Sequence, residues 1–180
     1  MLKSPMAEYG KEKERKNPQG GVESFEGLDT SLEERAELLD KTQWAGDFEW
    51  HQIEAIVKYM SVKRVPKDAV LFREGMVESF MCLILEGTVQ IRKEDEKGSV
   101  KSVAMLGAGQ MIGEMSLFND EPRYASAIAL KDITFLLFRR EDFERFSKEM
   151  PLLAVNVLTR LIKLLGERLR RTSAVLADYL

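Results

Sequence analysis

Between Leu106 and Ala127 the chain reads LGAGQMIGEMSLFNDEPRYASA, a stretch that sets glycines, a carboxylate and a single arginine close together. Gly113 lets the backbone approach a ligand closely. Glu114 then opens a segment, Met115 to Phe118, with the length of one helical turn, whose first N–H groups lack intrahelical acceptors and favour an anion. Pro122 ends any helix and holds Glu121 extended, so Arg123 is expected to enter the next strand facing back toward that turn. Arginine offers a planar fork that matches two phosphate oxygens. A carboxylate repels phosphate and only accepts hydrogen bonds, so the natural partner of Glu114 is a hydroxyl donor such as a ribose 2′-OH. Charge and sugar would be read by different residues, an arrangement that suits a cyclic phosphodiester on a ribose.

Short β-rich runs must carry that stretch. VKRV, AVLF, FMCLILEG, TVQIRK, SVAML, SAIAL and ITFLLF fall between Val62 and Arg139, with turn signals at Pro66-Lys67-Asp68 and Glu96-Lys97-Gly98. Strands this short at near-regular spacing predict a β-roll or barrel. Ahead of them, Asp29 or Thr30 is expected to cap a helix running to about Leu39. A second helix is expected from near Asp47 to Met60, with Phe48, Ile53, Ile56 and Val57 along one side. Beyond Arg139 the pattern turns helical again, first EDFERFSKEM and then, with Pro151 as a helix-starting residue, a long terminal helix.

In that last helix Leu158, Ile162, Leu165, Leu169, Thr172, Leu176 and Tyr179 follow alternating steps of four and three, the heptad seam of a coiled coil. Leu153, Val157, Leu161 and Leu164 suit docking of the same helix on its own roll. A homodimer through the seam is expected. Residues 1–28 combine Lys, Glu, Gly and Pro with few large apolar groups, and are expected to form a disordered tail. That leaves 29–180 as one domain, with N-terminal helices over 29–60, the roll over 61–139 and C-terminal helices over 140–180.

Composition narrows the function classes. At 180 residues, 44% of them hydrophobic, the chain has room for one substantial core but not for a second large domain. A net charge of −3 leaves no basic surplus for nucleic acid beyond a local patch in RLRR and RRTS. The single cysteine, Cys82, excludes an intrachain disulfide and sits in FMCLIL as core filler. His51, the only histidine, has no cysteine beside it and makes no metal site by spacing. Ser116, Ser126 and Ser173 lack the histidine that a catalytic triad requires, so neither catalysis nor a cofactor is expected. MLKSPMAEYGKEKERK has no apolar h-region and no run reaches the length of a membrane span, which makes the cytoplasm the expected setting.

The pairs Gly113-Glu114 and Pro122-Arg123 resemble, in type and spacing, the phosphate-binding cassette of the cyclic nucleotide-binding domain family. The resemblance extends upstream through LFREGMVESFMCLILEGTVQI, where Gly75 and Gly87 bracket an apolar strand, and Gly109 stands where a third turn glycine is usual. Downstream it takes in FRREDFERF and the terminal helix, so that it covers about Phe48 to Leu180. It implies a mainly β fold: a double-stranded, jelly-roll-like β-roll of about eight strands, with N-terminal helices and a long C-terminal helix. It also implies ligand contacts from Gly113, Glu114, Met115, Ser116, Arg123, Tyr124 and Ala125, with cAMP ahead of cGMP as ligand. Members that bind a nucleotide usually carry Ala or Ser where this chain has Tyr124. The phenol would crowd the phosphate, stack on a base, or point away along the strand while Ala125 supplies the small neighbour.

In some dimeric members hydroxyls late on the terminal helix reach the base. That makes Thr172 and Ser173 candidate base contacts, although counted from Pro151 they fall about one turn further along than the resemblance implies. On this resemblance the chain is a non-catalytic sensor. Its ligand would draw the turn at 113–118 inward and move the C-terminal helices, reporting to an unidentified effector protein. A DNA-binding helix-turn-helix would follow the terminal helix in family regulators, and with the sequence stopping at Leu180 a stand-alone domain is expected. The alternatives are a ligand-free scaffold on the same fold, favoured by Tyr124, and, further off, an enzyme with an unrecognised site. Replacing Arg123 by alanine is expected to cost about 2–4 kcal/mol of binding with little loss of stability.

Overall fold

A computed structural model describes residues 21–177, which divide into a first unit ending at Arg140 and a second beginning at Glu141. The first unit is built on nine strands: β1 Glu26–Gly27, β2 Ser61–Val65, β3 Val70–Phe72, β4 Phe80–Glu86, β5 Thr88–Glu94, β6 Val100–Gly107, β7 Met111–Ile112, β8 Ser126–Ala129 and β9 Ile133–Arg139. They pair antiparallel in two sheets, of order β1-β2-β9-β4-β7 and β3-β8-β5-β6. Every run read as a strand from the sequence is one. β1 and β7 are two residues each, too short to show a period, and carry no sequence signal of their own.

Alternation decides what lies between the sheets. Phe80, Cys82 and Ile84 of β4, Ile133, Phe135 and Leu137 of β9, Val89 and Ile91 of β5, and Ala127 and Ala129 of β8 join one buried cluster with Leu71, Phe72 and Ala125. Their partners one residue along on β5 and β8, Gln90 and Ile128, are only partly buried. At the tip of the β5–β6 hairpin Asp95 Oδ1 accepts the N–H groups of Lys97 and Ser99, and these bonds, that of Ser99 above all, hold its carboxyl below the usual range.

Two helices precede the roll: α1 Leu32–Asp40 and α2 Trp50–Val57. The cap of α1 is Ser31, not Asp29 or Thr30. Its Oγ accepts the Glu34 N–H at 3.1 Å while the Glu34 carboxylate accepts the Ser31 N–H at 2.7 Å, a reciprocal pair that fixes the start of the helix one residue beyond Thr30. The second helix is shorter than its apolar pattern implies. Gln43–Asp47 forms a 3-10 turn instead, and Phe48 packs on Trp44 at 5.1 Å rather than along α2. Arg35 joins the two helices, donating from Nη1 to the carbonyls of Val57 and Met60 at 3.2 and 2.7 Å.

The expected tail over 1–28 needs correction. Residues 1–20 lie outside the described residues, but Val22–Ser24 form a 3-10 turn and Glu26–Gly27 are β1, paired with Arg64 and Lys63 of β2. Phe25 is the reason. A single large ring buried at 6% exposure, with neighbouring rings of Phe80 and Phe135 at 5.9 and 5.3 Å, offsets the entropy of ordering a short segment that composition alone marks as too polar.

The second unit continues α3, Arg140–Glu149, and contains α4, Pro151–Ala177. Leu153, Ala154, Val157 and Leu161 form one buried stripe of α4. Of the seam residues, Ile162, Leu169, Thr172 and Leu176 are exposed and Leu158 and Leu165 partly so, while Tyr179 lies outside the described residues. No helix among the described residues is long and apolar enough to cross a membrane.

Candidate functional site

Glu114–Leu117 form a 3-10 turn capped by Gly113, whose backbone is left-handed at φ 76°. The expected helical turn is therefore present, one residue earlier and tighter. Only glycine suits this position for two reasons. A β-carbon would sit in a backbone region that L-residues avoid, and it would lie 2.5 Å from Arg123 Nη1 and 3.0 Å from the Phe80 carbonyl oxygen. Gly113 is thus the floor on which the arginine lies.

Arg123 precedes β8 by three residues and its backbone is pinned to the β3–β4 loop. Its N–H donates to Met76 O and its carbonyl accepts from the Gly75 N–H, both at 2.8 Å. The side chain points inward and is 4% exposed. Nη1 donates to Ser116 Oγ at 2.7 Å and Gly113 O at 3.2 Å, and Nη2 donates to Phe80 O at 2.7 Å. The guanidinium lies over two rings, 4.2 Å from the centroid of Phe72 and 4.5 Å from that of Phe80. Burial pushes its pKa down, opposed by the neighbouring carboxylates of Glu78 and Glu114. Its Nε is buried with no hydrogen-bond partner.

Around the arginine the sequence-predicted residues divide. Glu114 and Ser116 are buried beside it, and Ala125 is buried in the same inward row as Ala127 and Ala129, a strip of small side chains. Tyr124 is 62% exposed, so of its three alternatives the phenol takes the third and points away. Its carbonyl accepts from Lys93 Nζ at 2.7 Å, and the same amine binds Glu74 at 2.7 Å, the contact that does most to hold the Glu74 carboxyl below its ordinary value. Met115 also turns its side chain outward. Thr172 and Ser173 belong to the second unit, where both are exposed and Thr172 Oγ1 donates to Arg168 O at 3.0 Å.

Four further residues belong to the site and escape sequence reasoning. Phe72 and Phe80 both pack against the guanidinium, and only their inward position hints at it. Glu78, half-buried in the β3–β4 loop, has a carboxyl pKa raised by burial and lowered in lesser degree by the Arg123 charge, and its Oε2 has no hydrogen-bond partner. Arg140 holds the other end of the 3-10 turn. Its guanidinium donates to Ser116 O at 2.8 Å and to Asn119 O, and pairs with Asp120, while its backbone N–H donates to Ser79 O at 2.8 Å. Ser116 consequently meets both arginines, one through its hydroxyl and one through its carbonyl.

This chemistry fits a small anion with an apolar body. A buried arginine with an unused Nε donor and a glycine-capped turn supply charge complementarity, and the neighbouring phenylalanines and inward alanines supply an apolar wall. Among the described residues no three His, Cys, Asp or Glu side chains stand close enough to hold a metal ion, and His51 is exposed on α2 beside Glu49 at 3.4 Å.

A β-roll of two antiparallel sheets that turns an arginine inward beside a glycine-capped turn defines a class of nucleotide-binding regulatory modules. The chain belongs to the cyclic nucleotide-binding domain family: the profile of that family, described as cyclic nucleotide-binding domain, matches residues 62–150. A solved cyclic nucleotide-binding domain from Methylobacillus flagellatus is 32% identical, with a TM-score of 0.74 and 86% of each chain covered. The cyclic AMP receptor protein of Thermus thermophilus is 31% identical over 119 residues, 66% of this chain and 53% of its own. A CRP-like cAMP-activated global transcriptional regulator of Mycobacterium tuberculosis is 27% identical over 128 residues, 71% of this chain and 55% of its own. The chain thus spans about half the length of these sequence relatives. The regulatory domain of Toxoplasma gondii PKA, solved with cAMP, shares the fold at 20% identity and a TM-score of 0.64.

Proposed function

We propose that the chain is a cyclic nucleotide sensor, with cAMP ahead of cGMP as its ligand. The observation that carries the reading is the buried Nε of Arg123, an unpartnered donor on a guanidinium 4% exposed beside the Gly113 turn. Leaving such a donor unmet costs about 1–3 kcal/mol, a cost that a phosphate oxygen removes. In this reading Arg123 binds the phosphate, the N–H groups of Glu114 and Met115 at the opening of the turn add to it, and the Glu114 carboxylate accepts a hydrogen bond from the ribose 2′-OH. Ala125 leaves space for the ring, and Thr172 and Ser173 remain candidates for the base. Relatives named for cAMP support the choice of ligand.

Signalling follows from the two arginines. Phosphate draws on Arg123 and shifts the turn that Arg123 holds at one end, and Arg140, holding the other end, is the residue at which α3 begins. The displacement passes along α3 to α4, and from there to an effector protein. The exposed seam of Ile162, Leu169 and Leu176 favours pairing with a second copy, and a protein that sediments as a monomer at micromolar concentration would remove that part of the reading. A lone cysteine with no partner for a disulfide accords with a cytoplasmic setting.

Thermal unfolding with cAMP, cGMP and cyclic dinucleotides tests the sensor, because a ligand held only by the folded state must raise the melting temperature. Cyclic AMP at a hundred times its Kd is expected to add about 2.7 kcal/mol. No shift with any of them would leave the second reading, a ligand-free scaffold. One observation favours that scaffold: both Nη atoms of Arg123 already have protein acceptors in Ser116, Gly113 and Phe80.

A further inference from the structure

Resting on the sensor reading, we propose that residues 21–27 are a strap that closes the roll beside Arg123 and must open before a cyclic nucleotide can enter. The strap bridges the edges of the two sheets. β1 pairs with β2, at the end of one sheet, and four residues upstream of Phe25 the Gly21 N–H donates to Leu71 O on β3, at the end of the other, at 3.2 Å. Between these anchors Phe25 enters the cluster that lines the interior, its ring set edge-to-face at 5.3 Å from Phe135 and 5.9 Å from Phe80. Phe80 in turn lies 4.5 Å beneath the guanidinium of Arg123. A single ring therefore separates the strap from the group that would hold the phosphate. Phe25 thus occupies the apolar interior next to the ring on which the arginine rests.

Gly21 extends the cover to the carboxylate at the arginine's side. Its backbone is left-handed at φ 91°, and a β-carbon there would collide with Glu78 Oε1. The strap thus lies directly over Glu78, whose other carboxylate oxygen is buried without a hydrogen bond. Closing a chain segment over Glu78, whose Oε2 is buried without a hydrogen bond beside an arginine whose Nε is likewise unmet, is a poor use of burial if the closed form is the only one needed. It is the expected pattern if the closed form is exchanged for one in which a ligand meets those groups.

The attachments are local. Besides the packing of Phe25 and Val22 on the core, they include a two-residue ladder, the Gly21–Leu71 bond, the Leu28 N–H to Val62 O bond at 3.1 Å, and a 3-10 turn whose Ser24 Oγ donates back to Gly21 O at 2.7 Å. Such a segment opens without unfolding the sheets. A ligand that binds only the open form sees its Kd raised by the reciprocal of the open fraction, so the strap sets the threshold of the sensor without touching the phosphate.

The test uses the full chain with Glu26→Cys and Arg64→Cys, exposed partners in the β1–β2 register whose disulfide would pin the residue next to Phe25. Cys82 is fully buried, and burial pushes its thiol pKa far up, so it stays out of the exchange. By calorimetry with cAMP the oxidised protein is expected to bind at least about tenfold more weakly than the reduced, with reductant restoring the affinity. Phe25→Ala should bind more tightly than the unaltered protein, and if that variant does not fold the disulfide pair decides alone. Equal affinity in oxidised and reduced protein overturns the strap and leaves the sensor standing. Absence of cAMP and cGMP binding in the unaltered, reduced and Phe25→Ala proteins alike overturns the sensor, and the strap with it.

Discussion

Replacing Arg123 by alanine should weaken the fold as well as the ligand site. The side chain donates three hydrogen bonds, to Ser116 Oγ, Gly113 O and Phe80 O, and lies against two phenylalanine rings. Bonds from a charged donor contribute about 1.5–3 kcal/mol each before the desolvation of the guanidinium, several kcal/mol, is set against them. Alanine also leaves the buried carbonyls of Phe80 and Gly113 without these donors, at about 1–3 kcal/mol apiece. The net is on the order of 3 kcal/mol of stability, which for a chain of this size lowers the melting temperature by roughly 6–12 °C. This differs from the sequence-based expectation of little loss of stability because the arginine is hydrogen-bonded within the protein before any ligand arrives. For binding, the loss remains about 2–4 kcal/mol, or roughly 30- to 900-fold in Kd. Differential scanning calorimetry without ligand and titration calorimetry with cAMP separate the two effects. A ligand-free melting temperature within about 1 °C of the parent would refute the buried, bonded arginine, since no compensation of that size is available from a truncated side chain.

Gly113→Ala should destabilise by about 1–2 kcal/mol from its left-handed backbone alone and more from displacing Arg123, so that both melting temperature and cAMP affinity fall; an unchanged affinity would separate the turn from the ligand. Glu78→Gln should raise the melting temperature near neutral pH and have no effect at pH values well below the carboxylate range. Burial raises this carboxyl's folded-state pKa above its ordinary 4.5, so the folded form binds the proton more tightly; stability falls as pH rises through that window, and the penalty is full only above it. A gain that persists at low pH would assign the effect to something other than charge. Arg140→Ala should free the C-terminal end of the turn, speeding amide exchange across Leu117–Asp120 while changing ligand affinity less than Arg123→Ala does; if exchange there is unaltered, the guanidinium is not what holds that end.

Much of this architecture is legible in the chain because strands of three to eight residues, most with inward parity, leave a local trace. The seven longer strands, the two terminal helices and the turn at Gly113 all announce themselves by period or by a residue with special backbone freedom. What stays hidden depends on neighbours distant in sequence. Phe25 looks like an isolated ring in a polar segment until Phe80 and Phe135 are folded beside it. Glu78 and Arg140 have ordinary surface sequence contexts, and their roles arise only where the β3–β4 loop and the start of α3 converge on Arg123 and the 3-10 turn. The direction of Tyr124 was undecidable for a related reason: the residue lies in a bend ahead of β8, where strand parity does not yet apply, and the pinning of Arg123 by Gly75 and Met76 chooses the side.

The outward phenol has a wider consequence. A bulky residue after the arginine is no mark of a decayed pocket when the chain turns it to the outer surface, because position 124 then answers to whatever meets the sheet from outside, and steric demands from within fall on Ala125 instead. Exchange of Tyr124 for a small residue is accordingly a change of exterior, and the same letter that would disqualify the chain in a motif comparison leaves the inward row of Ala125, Ala127 and Ala129 as it is.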